Sequence, residues 1–255
     1  MSIDMLLVSN TKVHGGKPFD HAREQIKELL GNVRAVTFIP YARPDGISHE
    51  KFTEVLAPTF QSMGYDLECI SEQDPRGTVR SADAIFIGGG NTWHLLRQLK
   101  DKGLLYDIRR KVQNGTPYLG SSAGSNVAGL TIGNTNDMPA ADCHGLDALG
   151  LVPFNVNPHY QDSLSLTPEE MTAVLEIAPQ LAIILKHQGE TRDGRIREYH
   201  ALGNTQPVVA MREGAMLRRT DSELTPQGKT GGRIYLIDHE PRNLQPGENL
   251  NFLLK

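Results

Sequence analysis

"ADAIFIGGGNTWHLLRQLKDKG", residues 82–103, carries an apolar run straight into three glycines and leaves them with leucines at helical spacing. It reads as a buried strand, a tight turn, and a helix opening on a cap at Thr92. A short strand without a polar face is covered on both sides, as strands of parallel sheets are. The same alternation extends outward. Upstream lie "MLLVSN" (5–10), "FDHAREQIKELLG" (19–31), "RAVTFIPYA" (34–42), "ISHEKFTEVLAPTFQSMG" (47–64, with a break expected near Pro58) and "YDLECI" (65–70). Downstream lie the helix "LLYDIRRKVQNG" (104–115) and the strand "PYLGS" (117–121). Strands alternating with helices of this length predict an α/β fold with a parallel sheet covered on both faces.

After Asn134 the pattern thins. A helix is expected over "TPEEMTAVLEI" (167–177), with strands over "QLAIIL" (180–185), "QPVVAMRE" (206–213), "AMLRRT" (215–220) and "RIYLIDHE" (233–240). No linker, repeat or low-complexity segment divides residues 1–255, so a single domain is expected. A net charge of -4 offers no basic field for nucleic acid. No run of about 18 apolar residues suggests a membrane span. The opening "MSIDMLLVSNTK" is too short and acidic for a signal peptide. Two cysteines, Cys69 and Cys143, are too few for a disulfide framework, and a cytoplasmic protein is expected.

Ligands of open parallel sheets bind beyond the carboxyl ends of the strands. Two loops stand there: "GGGNT" (88–92) and "GSSAGS" (120–125). Gly120-Ser121-Ser122-Ala123-Gly124 fits the G-x-S-x-G turn that lifts a nucleophilic serine between a strand and a helix. The spacing selects Ser122, since neither Ser121 nor Ser125 has glycine at both plus and minus two. A serine there takes an unfavourable backbone conformation, and glycines on either side allow the close approach of chain segments. The helix that follows directs N–H groups at developing negative charge. The plain alternative is a Gly/Ser turn before a buried helix. Neither loop suits a phosphate: no lysine follows the glycines of the second, and Trp93 occupies the third glycine's place in a G-x-G-x-x-G reading of the first. Gly88, Gly89 and Gly90 are better used to bring a bare backbone N–H near the serine.

A serine needs a base. Of nine histidines, His159 in "NVNPHY" (155–160) ranks first, because Pro158 holds the preceding backbone extended and sets an imidazole at a strand end. His14, His21 and His49 read as surface residues, and His94, His144, His200 and His239 have no comparable setting. Two carboxylates at turns after extended runs, Asp137 and Glu213, are candidates to orient the base.

The segments "FIPYA", "GGGNT", "GSSAGSN", "TNDMP", "GLDALGLVPFNVNPHY", "HQGETRDGRIREY" and "REG" appear in the order found in peptidase E, and from about residue 5 to 217 the chain resembles that α-aspartyl dipeptidase family of serine peptidases. The resemblance implies a three-layer αβα sandwich with a mostly parallel sheet, flavodoxin-like and similar to class I glutamine amidotransferases. It implies a cytoplasmic hydrolase of dipeptides with N-terminal aspartate, needing no cofactor and no metal. By the same resemblance Ser122 is the nucleophile, His159 the base, and Glu213 the favoured orienting acid. Asp137 then orients the site or meets the substrate amine. Gly90 and Ala123 fall at the oxyanion positions, with Gly89 and Asn91 beside the substrate. Arg192 is similar to the residue that grips the aspartyl carboxylate, a task suited to a planar, permanently charged guanidinium; its alternative is a salt bridge with Glu190 or Asp193.

The chain departs from the family at Ser121, where an aromatic residue is usual, and the loss of bulk is expected to widen or rehydrate the pocket. Residues 160–186 form a longer segment than the family's, expected to fold over the site or to join two copies in a homodimer. The region 218–255 diverges and carries no functional reading. The rival readings are a cyanophycinase-like hydrolase of β-aspartyl linkages and a non-catalytic small-molecule binding protein. An amidotransferase is disfavoured, because the bend would need cysteine where Ser122 stands.

Overall fold

The computed structural model describes residues 3–44, 46–162, 167–178 and 191–255. Five parallel strands form the body of a seven-stranded sheet: β1 (Asp4–Val8), β2 (Ala35–Ile39), β3 (Asp66–Cys69), β4 (Ile85–Ile87) and β5 (Tyr118–Ser121). With β8 (Ala215–Thr220) and β9 (Glu223–Gly228) antiparallel at one side, their spatial order is β3-β2-β4-β5-β1-β8-β9. β6 (Asn155–Tyr160), β7 (Val208–Arg212), β10 (Gly232–Tyr235) and β11 (Arg242–Leu244) make a second sheet in the order β11-β10-β7-β6.

The period-two alternation of each strand sorts its side chains into two cores. Leu6, Val8, Val36, Phe38, Phe86 and Leu119 pack with α1 (Arg23–Leu30) and α2 (His49–Gln61). Met5, Leu7, Ile39, Ile85, Ile87 and Tyr118 face the other way, onto α3 (Pro75–Ser81), α4 (Thr92–Asp101), α5 (Leu104–Gln113) and Val156, Val209 and Ile234 of the second sheet. This is a flavodoxin-like sandwich, and the second sheet belongs to one of its layers. The outer face of that sheet packs Tyr160, Val208, Ala210 and Tyr235 against Ile196 and Tyr199 of α8 (Arg192–Ala201).

The sequence pattern and the structure part in a few places. α2 runs unbroken through Pro58, and the missing proline N–H does not stop it so near its end. α4 opens on Asn91, whose Oδ1 accepts from the His94 N–H at 2.9 Å, so Thr92 is the first helical residue and not the cap. α3 and α8 bury so few apolar side chains that no periodicity announces them. Their signals are local: Asp74 before Pro75 and Thr191 before Arg192 each accept a hydrogen bond from the N–H three residues on. α7 (Pro168–Ile177) opens on a reciprocal capping box between Thr167 and Glu170. The expected strand at 180–185 lies outside the described residues. β9 and β11 were not anticipated; Pro226 sits in β9, on the edge of its sheet, where a missing donor is tolerated. Among the described residues, no helix is long and apolar enough to cross a membrane.

One guanidinium ties the second sheet together. Arg212, at the end of β7, donates to both oxygens of Asp162 beyond β6 (2.6 and 2.8 Å), to the Gly232 carbonyl in β10 (2.9 Å) and to Asn243 Oδ1 in β11 (2.8 Å). The hydrogen bonds from Arg212 hold the Asp162 carboxyl below its usual range, and partial burial opposes them. A carboxyl depressed by folding contributes stability above its unfolded value and loses it as pH falls through the folded value. Asp162 remains half exposed, so the contribution is expected to be about 1 kcal/mol or less. Asp162→Asn should therefore be less stable than the parent protein at pH 7. In urea titrations the gap should narrow below about pH 4, the ordinary carboxyl range, and close at lower pH. A gap independent of pH would mean that the ionic partner is not what stabilises this end of the sheet.

Candidate active site

The carboxyl ends of β1, β4 and β5 lie side by side. At the last, the chain leaves Ser121 and turns at Ser122, with φ 54° and ψ -112°, into the short helix α6 (Ala123–Asn126). A positive φ costs a serine about 1–3 kcal/mol and persists only where surroundings enforce it. Here they do. The Ser122 N–H donates to the Val8 carbonyl at 3.0 Å, and Ser125 Oγ donates to the same oxygen at 2.8 Å. A Cβ on Gly124 would lie 2.1 Å from the Ile87 carbonyl oxygen, and one on Gly120 would lie 2.7 Å from the Gly124 carbonyl oxygen. The glycines that suggested the bend in the sequence are the points where strand, helix and neighbouring strand touch.

Ser122 Oγ lies 2.8 Å from His159 Nε2. The histidine reaches it from the second sheet by a bulge in β6. Asn157 pairs with Ala210 and Tyr160 with Arg212, so two residues of β6, Pro158 and His159, stand opposite Met211 alone in β7. Pro158 has no N–H to give the ladder, and the extra residue is accommodated with His159 at φ 56°. On the far side of the ring, Nδ1 lies 3.2 Å from Glu213 Oε1. Glu213 and Gly214 alone connect β7 to β8, which lie in different sheets. The turn is this tight because Gly214 takes φ +83°. The His159–Glu213 pair is about half exposed and is worth at most about 1 kcal/mol to folding. Stability is thus a weak reason for two strained backbones to converge.

Thr92, Thr135, Asn136, Asp137, Pro158 and Arg192 join Ser122 and His159 around a cleft of about 90 Å³. Asp137 does not orient the imidazole. Its Oδ2 accepts from the Thr92 N–H (2.7 Å) and hydroxyl (2.5 Å), which fix it on the cleft wall. Arg192, the first residue of α8, is half buried, and desolvation lowers its pKa from the ordinary value while Asp137 and Glu213 act the other way. It pairs with no acid among the described residues; Asp193 is engaged by Arg197, Arg233 and Tyr235 instead, and Glu190 lies outside the described residues.

Two expectations about neighbours change. Asn91 spends its amide on the structure, with Oδ1 capping α4 and Nδ2 donating to the Met138 carbonyl at 2.9 Å. Ser121 does not open the pocket: it is fully buried, and its hydroxyl pairs with Thr11 Oγ1 at 2.8 Å. Gly89 sits against Ser122, where a Cβ would come 2.9 Å from the serine's own. Thr92 and Asn136 were missed as cleft residues although both lie inside quoted motifs; a helix's first residue and a loop amide have no spacing that marks them.

A family profile described as peptidase family S51 matches residues 5–226. A Drosophila melanogaster protein named "Probable alpha-aspartyl dipeptidase" is 39% identical, the alignment covering 99% of this chain and 98% of that one. A Nostoc protein named "Peptidase E" is 37% identical, over 100% and 98% of the two chains. The crystal structure of a peptidase from an acI-B1 actinobacterium superposes with a TM-score of 0.65 at 16% identity, over 98% of this chain and 97% of the other, a likeness of fold. These relatives do not favour the cyanophycinase-like or the non-catalytic reading.

Gly124→Ala should destabilise the protein by about 1–3 kcal/mol, as overpacking does, and slow covalent labelling of Ser122 by a fluorophosphonate. Denaturant midpoints and labelling rates measure the two effects. An alanine variant with unchanged stability would show that β4 and α6 are not in the close contact described.

Proposed function

The chain belongs to peptidase family S51, and from that membership and the line of Ser122, His159 and Glu213 we propose that it is a serine-type dipeptidase acting on Asp-X dipeptides. The observation that carries the reading is the 2.8 Å approach of Ser122 Oγ to His159 Nε2 at the head of a strained bend. The aspartyl preference rests on the names borne by its relatives and on the charges around the cleft.

In the reaction, Ser122 Oγ attacks the carbonyl carbon of the Asp-X bond while His159 Nε2 takes the hydroxyl proton. The carbonyl electron pair moves onto oxygen. As the tetrahedral intermediate collapses, the C–N bond breaks and the imidazolium returns the proton to the leaving amine of X. Water then attacks the aspartyl ester by the same path in reverse order, freeing aspartate and Ser122. Glu213 Oε1 accepts from the imidazole Nδ1–H, which fixes the tautomer and stabilises the imidazolium.

The Ser122 N–H is committed to Val8, so donors to the oxyanion must come from elsewhere. Ala123, next in the chain, and Gly90, in the loop pressed against Ser122, supply them in this reading. Gly90 has φ +146°, and a Cβ there would lie 2.1 Å from the Ala42 carbonyl oxygen, so its peptide is held by close contact. One such donor is worth about 3–4 kcal/mol in the transition state. Arg192 receives the substrate's side-chain carboxylate, whose charge offsets what desolvation costs the half-buried guanidinium. Asp137 faces the α-ammonium. Cys69 and Cys143 are unpaired, in keeping with a cytoplasmic setting.

The test is steady-state hydrolysis of Asp-Leu, Glu-Leu and Ala-Leu. Asp-Leu should be the preferred substrate, and Ser122→Ala should lose about 10⁴-fold or more in kcat. Glu213→Gln should lose about 10²- to 10⁴-fold in kcat, since the imidazolium loses a carboxylate charge and the amide can donate to Nδ1 and hold the wrong tautomer. Arg192→Ala should remove most of the preference for Asp-Leu over Ala-Leu. Full turnover by Ser122→Ala would sink the mechanism; an unchanged preference in Arg192→Ala would sink the specificity role.

A further inference from the structure

We infer that Ser9 and Asn10, immediately after β1, are positioning residues that hold the base and the acid in register with the nucleophile; the inference rests on the roles given above to Ser122, His159 and Glu213. Four consecutive residues make the connection. The Val8 carbonyl accepts from the Ser122 N–H. Ser9 Oγ accepts from the His159 N–H at 2.9 Å and donates to the Met211 carbonyl at 3.0 Å. Asn10 Oδ1 accepts from the Gly214 N–H at 2.7 Å, directly after Glu213, and its Nδ2 donates to the Lys12 carbonyl at 2.8 Å. Thr11 Oγ1 meets the hydroxyl of Ser121, directly before Ser122, at 2.8 Å. The segment thus touches the chain at the nucleophile, the base and the acid.

The Ser9 contact explains a feature that the bulge alone leaves open. With Pro158 unable to donate and the ladder out of step, the His159 N–H donates to Ser9 Oγ, which carries the connection on to Met211 of β7. A buried N–H needs an acceptor, and a fully buried hydroxyl is waiting for it. Ser9 therefore rewards the positive φ of His159, and that φ aims Nε2 at Ser122. The same hydroxyl's bond to Met211 ties this position to β7, two residues before Glu213. Asn10, 2% exposed, fixes the turn from which Glu213 reaches the imidazole. Neither side chain lines the cleft, so both act through other groups.

Ser9→Ala removes the acceptor without adding bulk. In the full-length protein, kcat for Asp-Leu should fall about 10- to 100-fold, as displacement of a catalytic group by an ångström does, with KM within about twofold of the parent. Fluorophosphonate labelling of Ser122 should slow by the same factor. Asn10→Ala should show the same division between kcat and KM. If Ser9→Ala does not fold, Ser9→Cys keeps the volume and offers only a weak sulfur acceptor, and it should show a smaller fall of the same kind. A folded Ser9→Ala or Ser9→Cys whose kcat and labelling rate match the parent's overturns the inference, as does a loss confined to KM. Ser122→Ala measured alongside separates the two levels. Retained turnover in that variant defeats the active-site assignment itself. Its loss, with the Ser9 variants unimpaired, defeats only the positioning role.

Discussion

At Gly124 the helix leaving the nucleophile bend comes so near β4 that a single methyl group would collide with the Ile87 carbonyl. This contact sets the path of the chain through Ser122. Without it α6 would stand off the sheet, the Ser122 N–H would lose the Val8 carbonyl, and the serine could relax to a negative φ. The energy held in the bend is modest, about 1–3 kcal/mol. It is retained because a two-layered core on either side of the sheet leaves the segment no room to relax. A packing constraint between backbones, and no property of the serine itself, raises the hydroxyl at the sheet edge.

The other partners arrive from a different sheet. β6 and β7 run parallel to one another beside the main body, and each contributes one group at its carboxyl end, where α/β folds gather their chemistry. The bulge at Pro158–His159 and the two-residue corner at Glu213–Gly214 break regular pairing at the same level. Each break releases a backbone N–H that β1's continuation accepts. The cleft is therefore built at a seam: two sheets are joined by the hydrogen bonds that Ser9 and Asn10 accept from His159 and Gly214. Strain of a few kcal/mol at Ser122 and His159 is offset by those bonds and by the surrounding core, which folding alone would not require of half-exposed side chains.

Around this line the cleft is polar and asymmetric. Arg192 and Asp137 put one cation and one anion on the lining of a cleft of about 90 Å³. In the proposed reading these two charges meet the side-chain carboxylate and the α-ammonium of an amino-terminal aspartyl residue. Ser121 lies behind Ser122 in a hydroxyl pair with Thr11, so its small size does not open the cleft.

Much of this was legible in residue order. Mostly apolar runs marked β1, β2, β4 and β5, because a strand covered on both faces has no polar side to hide; the edge strand β3 alternates instead, with Asp66 and Glu68 exposed. The glycine spacing around Ser122 marked the bend because close backbone contacts exclude a Cβ wherever they occur. Proline before His159 marked an extended approach to the base. These signals are local, and so the sequence by itself determined the sheet, the bend and the two side chains, Ser122 and His159, that meet at 2.8 Å. It could not choose between Asp137 and Glu213, foresee a second sheet, or give Ser9 and Asn10 any role. Those depend on contacts between segments as much as 204 residues apart, where no periodicity or motif relates the partners. Only the tertiary structure, by crossing from β7 to β8 between sheets, brought Glu213 to the imidazole and left Asp137 on the cleft wall.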